Sequence, residues 1–383
     1  MRTWMRWLWC LCLVGCASAP PPPPRPDHLL HDERFAAPTE RIAAGDVFAL
    51  NDAMRSYLRH DIGGQLRSKG PQRGLIEALY RPGQLKLEYD AAMTRNARQA
   101  FEARAGNCLS LVIMTAAFAK ELGLGIQYQS AFLEETWSRN GNFYLRSGHV
   151  NLTLGRRFID AGTEKDSSTL TIDFLPAEDV RGLRTRVIEE ETVVAMYMNN
   201  RAAEALLQGR LDDAYAWARE AIMQDPAFVS AYNTLGVIYL HHGDLPQADA
   251  VFAEVLEREP RNTRAMFNRA QVQTMLGHND ESGVLYRRLA ELEPYPPFHF
   301  FNLGMAAMQR EDYRAARDLF AREVQRAEYY HEFHYWLGVA NYRIGDIAQA
   351  RKHLSLAMEN STSRGDHDLY AAKLAWLKSF QHQ

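Results

Sequence analysis

The sequence predicts two folded units of different class, an α+β domain followed by an all-α solenoid of helical repeats. Pro226, Pro260 and Pro294 stand 34 residues apart, and a fixed period of this length is typical of stacked two-helix repeats. Before the repeats, an apolar helical run is followed by β-rich segments, which indicates an α+β domain. The length of 383 residues suits two or three domains of about 150 residues each.

The composition is that of an ordinary globular protein. Hydrophobic residues make up 46% of the chain, charged residues make up 24%, and the net charge is −3. These values exclude collagen-like, low-complexity and wholly disordered chains. Because there is no excess of basic residues to neutralise phosphates, we expect no nucleic-acid partner.

The first sixteen residues have the pattern of an export signal. Arg2 and Arg6 precede an apolar run at 7–14, which is shorter than the roughly 20 residues that span a bilayer. The run ends in Leu-Val-Gly-Cys16, which resembles the lipobox of bacterial lipoproteins. That resemblance implies that residues 1–15 are removed and that Cys16 carries the lipid, palmitate included. An alternative is a secretory signal cleaved near Ala19.

The resemblance to lipoproteins also implies a location. Ala17, rather than Asp, follows the modified cysteine, which favours anchoring in the outer membrane, in the cell envelope and facing the periplasm. Residues 16–29 then form a tether, since the proline-rich stretch at 19–26 is expected to be an extended polyproline segment. With Cys10 and Cys12 removed and Cys16 acylated, Cys108 is the one thiol left in the chain.

Residues 195–364 divide into five repeats that resemble the tetratricopeptide repeat. Leu-Gly pairs at 235–236, 303–304 and 337–338 keep the phase of the prolines. The best copy is the second repeat, with Tyr232, Leu235, Gly236, Tyr239, Gly243, Ala248, Phe252 and Pro260. Residues 365–383 are expected to form a capping helix, because terminal units need one face that meets solvent.

The resemblance implies that the first helix of each repeat lines a concave surface that binds a protein or a peptide. The positions on this stripe are mainly apolar and aromatic, and we expect an apolar helix or extended peptide as ligand. The alternative is that the stripe packs against neighbouring helices or the N-terminal domain. The predicted partner-binding residues are Asn233, Phe267, Phe301, Met305 and Tyr335.

The domain at 30–190 contains the candidate catalytic residues. Helical stretches are predicted at 40–66 and 90–103, and a buried helix is predicted at 111–122. Cys108 stands at the start of that last helix, directly after Asn107, a residue type that caps helices. Because the positive end of a helix stabilises a thiolate, this placement is typical of a nucleophilic cysteine.

Segments with strand character follow at 126–133, 147–154 and 169–174, with a turn predicted at Gly155-Arg156. The order is a helix carrying Cys108, a strand carrying His149 and a strand carrying an aspartate. This order, with the GNCLS segment at 106–110, resembles the transglutaminase-like superfamily, and in particular its bacterial members fused to tetratricopeptide repeats. The resemblance implies a papain-like α+β fold over the N-terminal domain.

The resemblance implies a role for each residue. Cys108 attacks a carbonyl carbon, His149 transfers the proton, and an aspartate orients the imidazole. Asp173 matches the family pattern best, while Asp160 stays a second candidate. The backbone N–H of Cys108 is a natural oxyanion donor, and Asn107 or Tyr89 is a candidate for the second.

The implied reaction is acyl transfer from an amide through a cysteine thioester. Hydrolysis would make the protein a cysteine peptidase or amidase, and transfer to an amine would make it an acyltransferase. No cofactor or metal is expected, since the His-x-x-His spacing at 331–334 is one residue short of a zinc motif. The alternative is an inactive domain on a scaffold or assembly lipoprotein, in which the repeats carry the function.

Overall fold

The computed structural model describes residues 26–80, 85, 87–90, 93–140, 143–157, 169–174, 184–361 and 364–379. The predicted lipidation site, Cys16, and the second candidate aspartate, Asp160, lie outside these described residues. In the described part of the chain, no helix is both long enough and apolar enough to cross a bilayer.

Within the described residues, the N-terminal half combines helices with a four-stranded antiparallel sheet. Strand order across the sheet is β5-β4-β3-β6, and β1 pairs with β2 in a separate parallel ladder. The helices are α1 (Asp52–Ser56), α2 (Gly63–Lys69), α3 (Pro71–Tyr80), α4 (Ala97–Ala103) and α5 (Cys108–Glu121). The strands are β1 (Glu88–Tyr89), β2 (Ala105–Gly106), β3 (Leu124–Asn140), β4 (Phe143–Arg157), β5 (Leu170–Ile172) and β6 (Arg184–Ile188).

Helix α5 is the central element of this domain. Every residue from Cys108 to Ala119 is buried, and the helix contacts α4, β3 and β4. A helix that is apolar on all sides belongs inside a core, which is what the run at 111–122 predicted. Gly123 ends the helix with a φ of +68°, a conformation that glycine adopts without steric cost.

Three local predictions differ from the structure. The helix expected from residue 40 begins only at Asp52, after Asn51 caps it. The helix expected from residue 90 begins at Ala97, after a capping box at Asn96. The turn expected at Gly155-Arg156 lies within β4, whose Arg157 still pairs with Leu124. Both helices therefore begin at a capping asparagine later than predicted, and the glycine at 155 lies within a strand.

The C-terminal half is a helical solenoid with five helix pairs and a final helix, as the 34-residue period predicted. Gly236 and Gly304 explain part of that period, because a Cβ at either position would lie 2.6 Å from a ring carbon of Phe252 or Phe320. Only glycine allows the two helices of a repeat to approach so closely. The helices are α6 (Glu190–Leu207), α7 (Leu211–Gln224), α8 (Val229–His242), α9 (Leu245–Arg258), α10 (Thr263–Met275), α11 (Asn279–Leu292), α12 (His299–Gln309), α13 (Tyr313–Arg326), α14 (His331–Arg343), α15 (Ile347–Glu359) and α16 (Arg364–Ser379).

The N-terminal domain and the first repeats share one hydrophobic core. A continuous cluster of buried side chains runs from Leu29 to Val272, and a second cluster runs from Phe298 to Ala340. Helix α6 contributes buried residues to the first cluster and contacts α5 directly. The first repeat is therefore packed as part of the α+β domain.

Residues 27–46, which we name the N-terminal strap, lie on the first two repeats. The ring of Phe35 stacks on Tyr215 with centroids 4.0 Å apart, and Arg34 Nη1 donates to Asp244 Oδ1 at 2.6 Å. The hydroxyl of Tyr239 donates to the backbone oxygen of Leu29 at 2.9 Å. Most of the strap falls in the range predicted for the N-terminal domain, yet these contacts hold it against α7, α8 and the turn after α8.

Candidate functional site

Cys108 is the first residue of α5, and its position is fixed by the residues just before it. The side-chain oxygen of Asn107 accepts hydrogen bonds from Ser110 N at 2.9 Å and from Ser110 Oγ at 2.8 Å. The backbone of Gly106 lies so close to this turn that a Cβ on residue 106 would be 2.6 Å from Ser110 Cβ. The sequence Gly-Asn-Cys-Leu-Ser is therefore a compact helix start with the thiol on its first turn.

His149 and Asp173 meet across two neighbouring strands of the sheet. Leu152 on β4 pairs with Ile172 on β5, and because the strands are antiparallel, Asp173 comes next to the residues before Leu152. His149 Nε2 lies 2.7 Å from Asp173 Oδ1. The side chain of His149 is 1% exposed and that of Asp173 is 14% exposed, so this pair is shielded from water.

Asn151 is part of the same cluster. Its amide nitrogen donates to Asp173 Oδ2 at 2.9 Å, so both carboxylate oxygens of the aspartate have partners. Residues two apart on a strand share one face of the sheet, and Asn151 stands two positions after His149. That spacing in the sequence is a signal that could have identified Asn151, which the motif analysis left out.

The structure also brings Cys108 to His149. Burial lowers the pKa of His149, but the hydrogen bond with Asp173 and the interaction with Cys108 outweigh burial and raise the pKa to about 9. Asp173 is the partner of Nε2, which leaves Nδ1 as the ring nitrogen available to the thiol. Nδ1 itself is buried and forms no hydrogen bond of ordinary geometry within the part of the chain that the structure describes.

The resulting order of groups is thiol, imidazole, carboxylate. A carboxylate on one ring nitrogen fixes the tautomer and favours the protonated ring, and the other nitrogen can then exchange a proton with a nucleophile. Asp173 lies beside His149, and the second candidate, Asp160, is outside the described residues. Cys108 is 8% exposed, so its side chain is close to the surface without being open to bulk solvent.

Asn107 is engaged in holding the helix start. Its amide nitrogen donates to Thr94 Oγ1 at 2.9 Å, and its oxygen accepts from Ser110. The amide is therefore directed to Thr94 and not to a carbonyl oxygen at Cys108. The backbone N–H groups of a first helical turn are not used by the helix's own hydrogen bonds, which leaves the Cys108 N–H as the better candidate for an oxyanion donor.

The residues predicted to line the repeat groove differ in exposure. Phe267 on α10 is 40% exposed, whereas Phe301 on α12 is fully buried and packs on Phe320 and Phe333. Phe301 is thus a core residue, and Leu303 is the exposed apolar residue of that helix, at 46%. Phe298, with a φ of +62°, precedes α12, an irregular helix start that repeat phase does not reveal.

The other three predicted groove residues are half-buried. Asn233 accepts a hydrogen bond from Asn268 of the next repeat at 3.4 Å. Met305 packs against the second core cluster. Tyr335 stacks on Tyr370 of α16, with centroids 5.0 Å apart, so the last helix covers part of the predicted stripe.

Among the described residues, no group of three or more His, Cys, Asp or Glu side chains is arranged to hold a metal ion. His334, from the near-miss zinc motif, is buried and directs its Nδ1 at His353 Nδ1, 3.1 Å away. Its Nε2 lies 2.8 Å from the backbone oxygen of Glu328. These histidines are engaged in packing the last repeat.

Comparisons with known proteins identify the repeats. Family models for the tetratricopeptide repeat match residues 205–265 and residues 301–363. The human protein described as tetratricopeptide repeat protein 6 is 31% identical over 85 residues, which are 22% of this chain and 16% of that protein. The chain therefore spans about a sixth of that relative's length.

Solved structures with helical repeats are also similar. A thermophilic TPR protein of Thermus thermophilus, TTC0263, has 15% identity, covers 47% of this chain and 99% of its own, and gives a TM-score of 0.30. The pilF protein of Pseudomonas aeruginosa has 18% identity, covers 50% of this chain and 87% of its own, and also gives 0.30. YrrB, described as a TPR protein with an unusual peptide-binding site, has 20% identity, covers 47% and 92%, and gives 0.26.

Proposed function

We propose that this protein is a transglutaminase-like cysteine enzyme, carried on an envelope lipoprotein, whose tetratricopeptide repeats bind a protein or peptide partner. The observation that carries the enzymatic part is the arrangement of Cys108, His149 and Asp173. His149 Nε2 is hydrogen-bonded to Asp173 Oδ1 at 2.7 Å, and His149 also interacts with the thiol of Cys108. These three groups in this order are the parts of a cysteine-dependent acyl transfer.

The chemistry follows from the proton on His149. With a pKa of about 9, the imidazole is mostly protonated at neutral pH, and in the proposed reaction His149 is the group that takes the proton of the thiol and later gives it up. The sulfur of Cys108 then forms a bond to the carbonyl carbon of an amide while the C–N bond breaks. His149 gives its proton to the leaving nitrogen, which departs as an amine and leaves a thioester.

The second half of the reaction regenerates the thiol. His149, now neutral, takes a proton from water, and the resulting hydroxide attacks the thioester carbon. The C–S bond breaks, a carboxylic acid leaves, and the proton returns to the Cys108–His149 pair. An amine in place of water would give a new amide by the same steps, so the proposal covers both hydrolysis and transfer.

Thiol reactivity tests this part of the proposal without a substrate. We expect iodoacetamide to alkylate Cys108 rapidly near pH 6 in the native protein, because His149 interacts with the thiol and can take its proton. His149→Ala should slow the reaction at least about tenfold. An equal rate in wild type and His149→Ala would contradict the enzyme and favour a binding domain that keeps the fold.

The repeats offer an apolar surface on the third unit. Phe267 on α10 and Tyr286 on α11 are both exposed and lie with ring centroids 6.4 Å apart. Met275 and Val284, on the same two helices, are more than half exposed. Exposed apolar patches of this kind mark sites of protein interaction, so we propose that an apolar peptide docks at this repeat.

Selection from a displayed peptide library tests the docking surface. Selected peptides should carry apolar residues at helical or alternating spacing, and binding should weaken about tenfold or more in a Phe267→Ala, Tyr286→Ala double variant. Leu369→Ala removes an equally exposed apolar side chain on α16 and serves as the control. Unchanged binding in the double variant would exclude this surface.

The lipid anchor is tested by labelling in a bacterial host. A palmitate analogue should be incorporated into the wild-type protein and not into Cys16→Ser, which should also leave the membrane fraction. Separation of inner and outer membranes then tests the proposed location. Incorporation that persists in Cys16→Ser would contradict the proposed anchor.

A further inference from the structure

A chain of buried hydrogen bonds connects Cys108 to the first repeat. It begins at Asn107, whose amide nitrogen donates to Thr94 Oγ1 at 2.9 Å. Thr94 is 2% exposed, and its hydroxyl also accepts from the amide of Asn200 on α6 at 3.3 Å. Because the Asn107 side chain can form both the Ser110 and the Thr94 contacts only in one orientation, Thr94 fixes the cap of α5.

Thr94 is itself held by Glu204 on α6. The backbone N–H of Thr94 donates to Glu204 Oε1 at 2.6 Å, a short, charge-assisted hydrogen bond. The opposite oxygen of Glu204 accepts from Arg201 Nη1 at 2.6 Å. The Glu204 side chain is 17% exposed, so these contacts are largely shielded from water, where such bonds are stronger.

The network continues to the N-terminal strap. Arg201 Nη2 donates to Glu40 Oε2 at 2.9 Å, and Arg210 Nη1 donates to the other oxygen of Glu40 at 2.7 Å. Burial raises the pKa of Glu204, and the contacts with Thr94 and Arg201 only partly offset that effect. Arg201 is thus the cation that balances the negative charge of Glu204, and Glu40 forms a second ion pair with Arg201.

We propose that Thr94 and Glu204 are positioning residues for the cysteine site, so that the first tetratricopeptide repeat is a working part of the site and not a separate docking module. The proposal rests on the proposed function, since it assigns these residues to the reactivity of Cys108. Thr94 acts through Asn107, the residue next to the nucleophile, and Glu204 acts through Thr94. Neither residue is assigned a contact with substrate.

The test measures the alkylation rate of Cys108 by iodoacetamide from pH 5 to pH 10. Thr94→Val keeps the volume of the side chain and the N–H that bonds Glu204, but it removes the oxygen that holds Asn107. We expect a rate at pH 6 about tenfold below wild type, because small displacements of a nucleophile have large kinetic effects. Thr94→Ser restores the oxygen and should restore most of the rate.

Glu204→Gln is the second variant. The amide keeps an oxygen for the Thr94 N–H but loses the charge that faces Arg201, so the rate should fall between those of wild type and Thr94→Val. Asp225→Asn is the matched control, since it weakens the 2.7 Å hydrogen bond from Thr192 Oγ1 near the other end of the same helix. Its rate and pH profile should match wild type.

Two outcomes separate this inference from the function on which it rests. If folded Thr94→Val reacts with the rate and pH profile of wild type while His149→Ala is slow, the positioning role is refuted and the cysteine enzyme stands. If His149→Ala reacts like wild type, the enzyme itself is refuted. A general loss of stability would expose the buried thiol of Cys108 to the reagent, whereas the positioning role slows the reaction in a folded variant.

Discussion

Replacing Asp173 with asparagine should lower the pKa of His149. It should also weaken the pH dependence of stability that this histidine causes. In the structure His149 Nε2 lies 2.7 Å from Asp173 Oδ1, and the His149 side chain is 1% exposed. Asp173→Asn keeps the shape and an oxygen, but it removes the negative charge that favours the imidazolium. Burial then acts with less opposition, and burial lowers the pKa of a histidine.

The expected magnitude comes from the pKa of His149, about 9, against the ordinary value of 6.5. One pKa unit is about 1.4 kcal/mol, so the difference corresponds to a free energy on the order of 3 kcal/mol. At pH 7.5 a histidine with a pKa of about 9 is about 97% protonated, whereas one with a pKa of 6.5 is about 9% protonated. Asp173→Asn should therefore move His149 toward the neutral form at this pH, with the interaction with Cys108 still opposing burial.

The sign of the effect on stability follows from linkage. Since the folded-state pKa lies above the unfolded value, His149 stabilises the wild type fully below about pH 6.5, and this stabilisation is lost as the pH rises through about 9. The wild-type Tm should fall across this window, and the fall should be much smaller in Asp173→Asn. Differential scanning calorimetry at half-unit pH steps measures it.

An NMR titration of carbon-13-labelled histidine gives the pKa directly, with His149→Gln assigning the resonance. Asp368→Asn provides the control, because Asp368 faces His367 at the exposed surface and is far along the chain from the site. A His149 resonance that still titrates near pH 9 in Asp173→Asn would refute the reasoning, and so would an unchanged stability profile.

Two further predictions concern the repeats. Gly236→Ala places a methyl group 2.6 Å from Phe252 Cε1, so urea unfolding should show a loss of about 1–3 kcal/mol, whereas Gly64→Ala meets open space and should show none. Burial lowers the pKa of His353 to about 4, helped by the charges of His334 and Lys352. This folded-state pKa lies below the unfolded value, so stability should fall as the pH drops from about 6.5 to 4, and His353→Gln should reduce the fall in Tm over that window.

The helical repeats could be predicted from sequence because a close contact between the two helices of a repeat returns in phase with the 34-residue period. Gly236 faces the ring of Phe252, and two periods later Gly304 faces the ring of Phe320. The exposure of individual residues is less regular, as Phe301 shows. It occupies the repeat position of Phe267, yet it is buried against the rings of Phe320 and Phe333.

The placement of the candidate site residues was predictable in part, because the elements that carry them have local patterns. Cys108, His149 and Asp173 each stand in a local pattern, a helix start or a strand, and the order of those elements carries the information. The residues that support them have no such pattern. Thr94 and Glu204 are 110 positions apart, and only the tertiary structure shows that one holds the other.

The strap was not predictable, because its contacts depend on aromatic and charged residues without periodicity. Phe35 and Arg34 look like ordinary surface residues in the sequence. Their partners, Tyr215 and Asp244, are about 180–210 positions later in the chain. No local rule connects segments so far apart.

The binding of the N-terminal strap to the first two repeats has a consequence for the order of folding. Thr39 N and Oγ1 both donate to Asp213, 174 positions later, so the strap has no binding site until the first two repeats have formed. Contacts between such distant segments form late, because loop closure must precede them. We expect the start of the folded chain to be among its last parts to become ordered during folding. A chain truncated before residue 200 would then present an unseated strap to proteases, whereas the full chain would protect it.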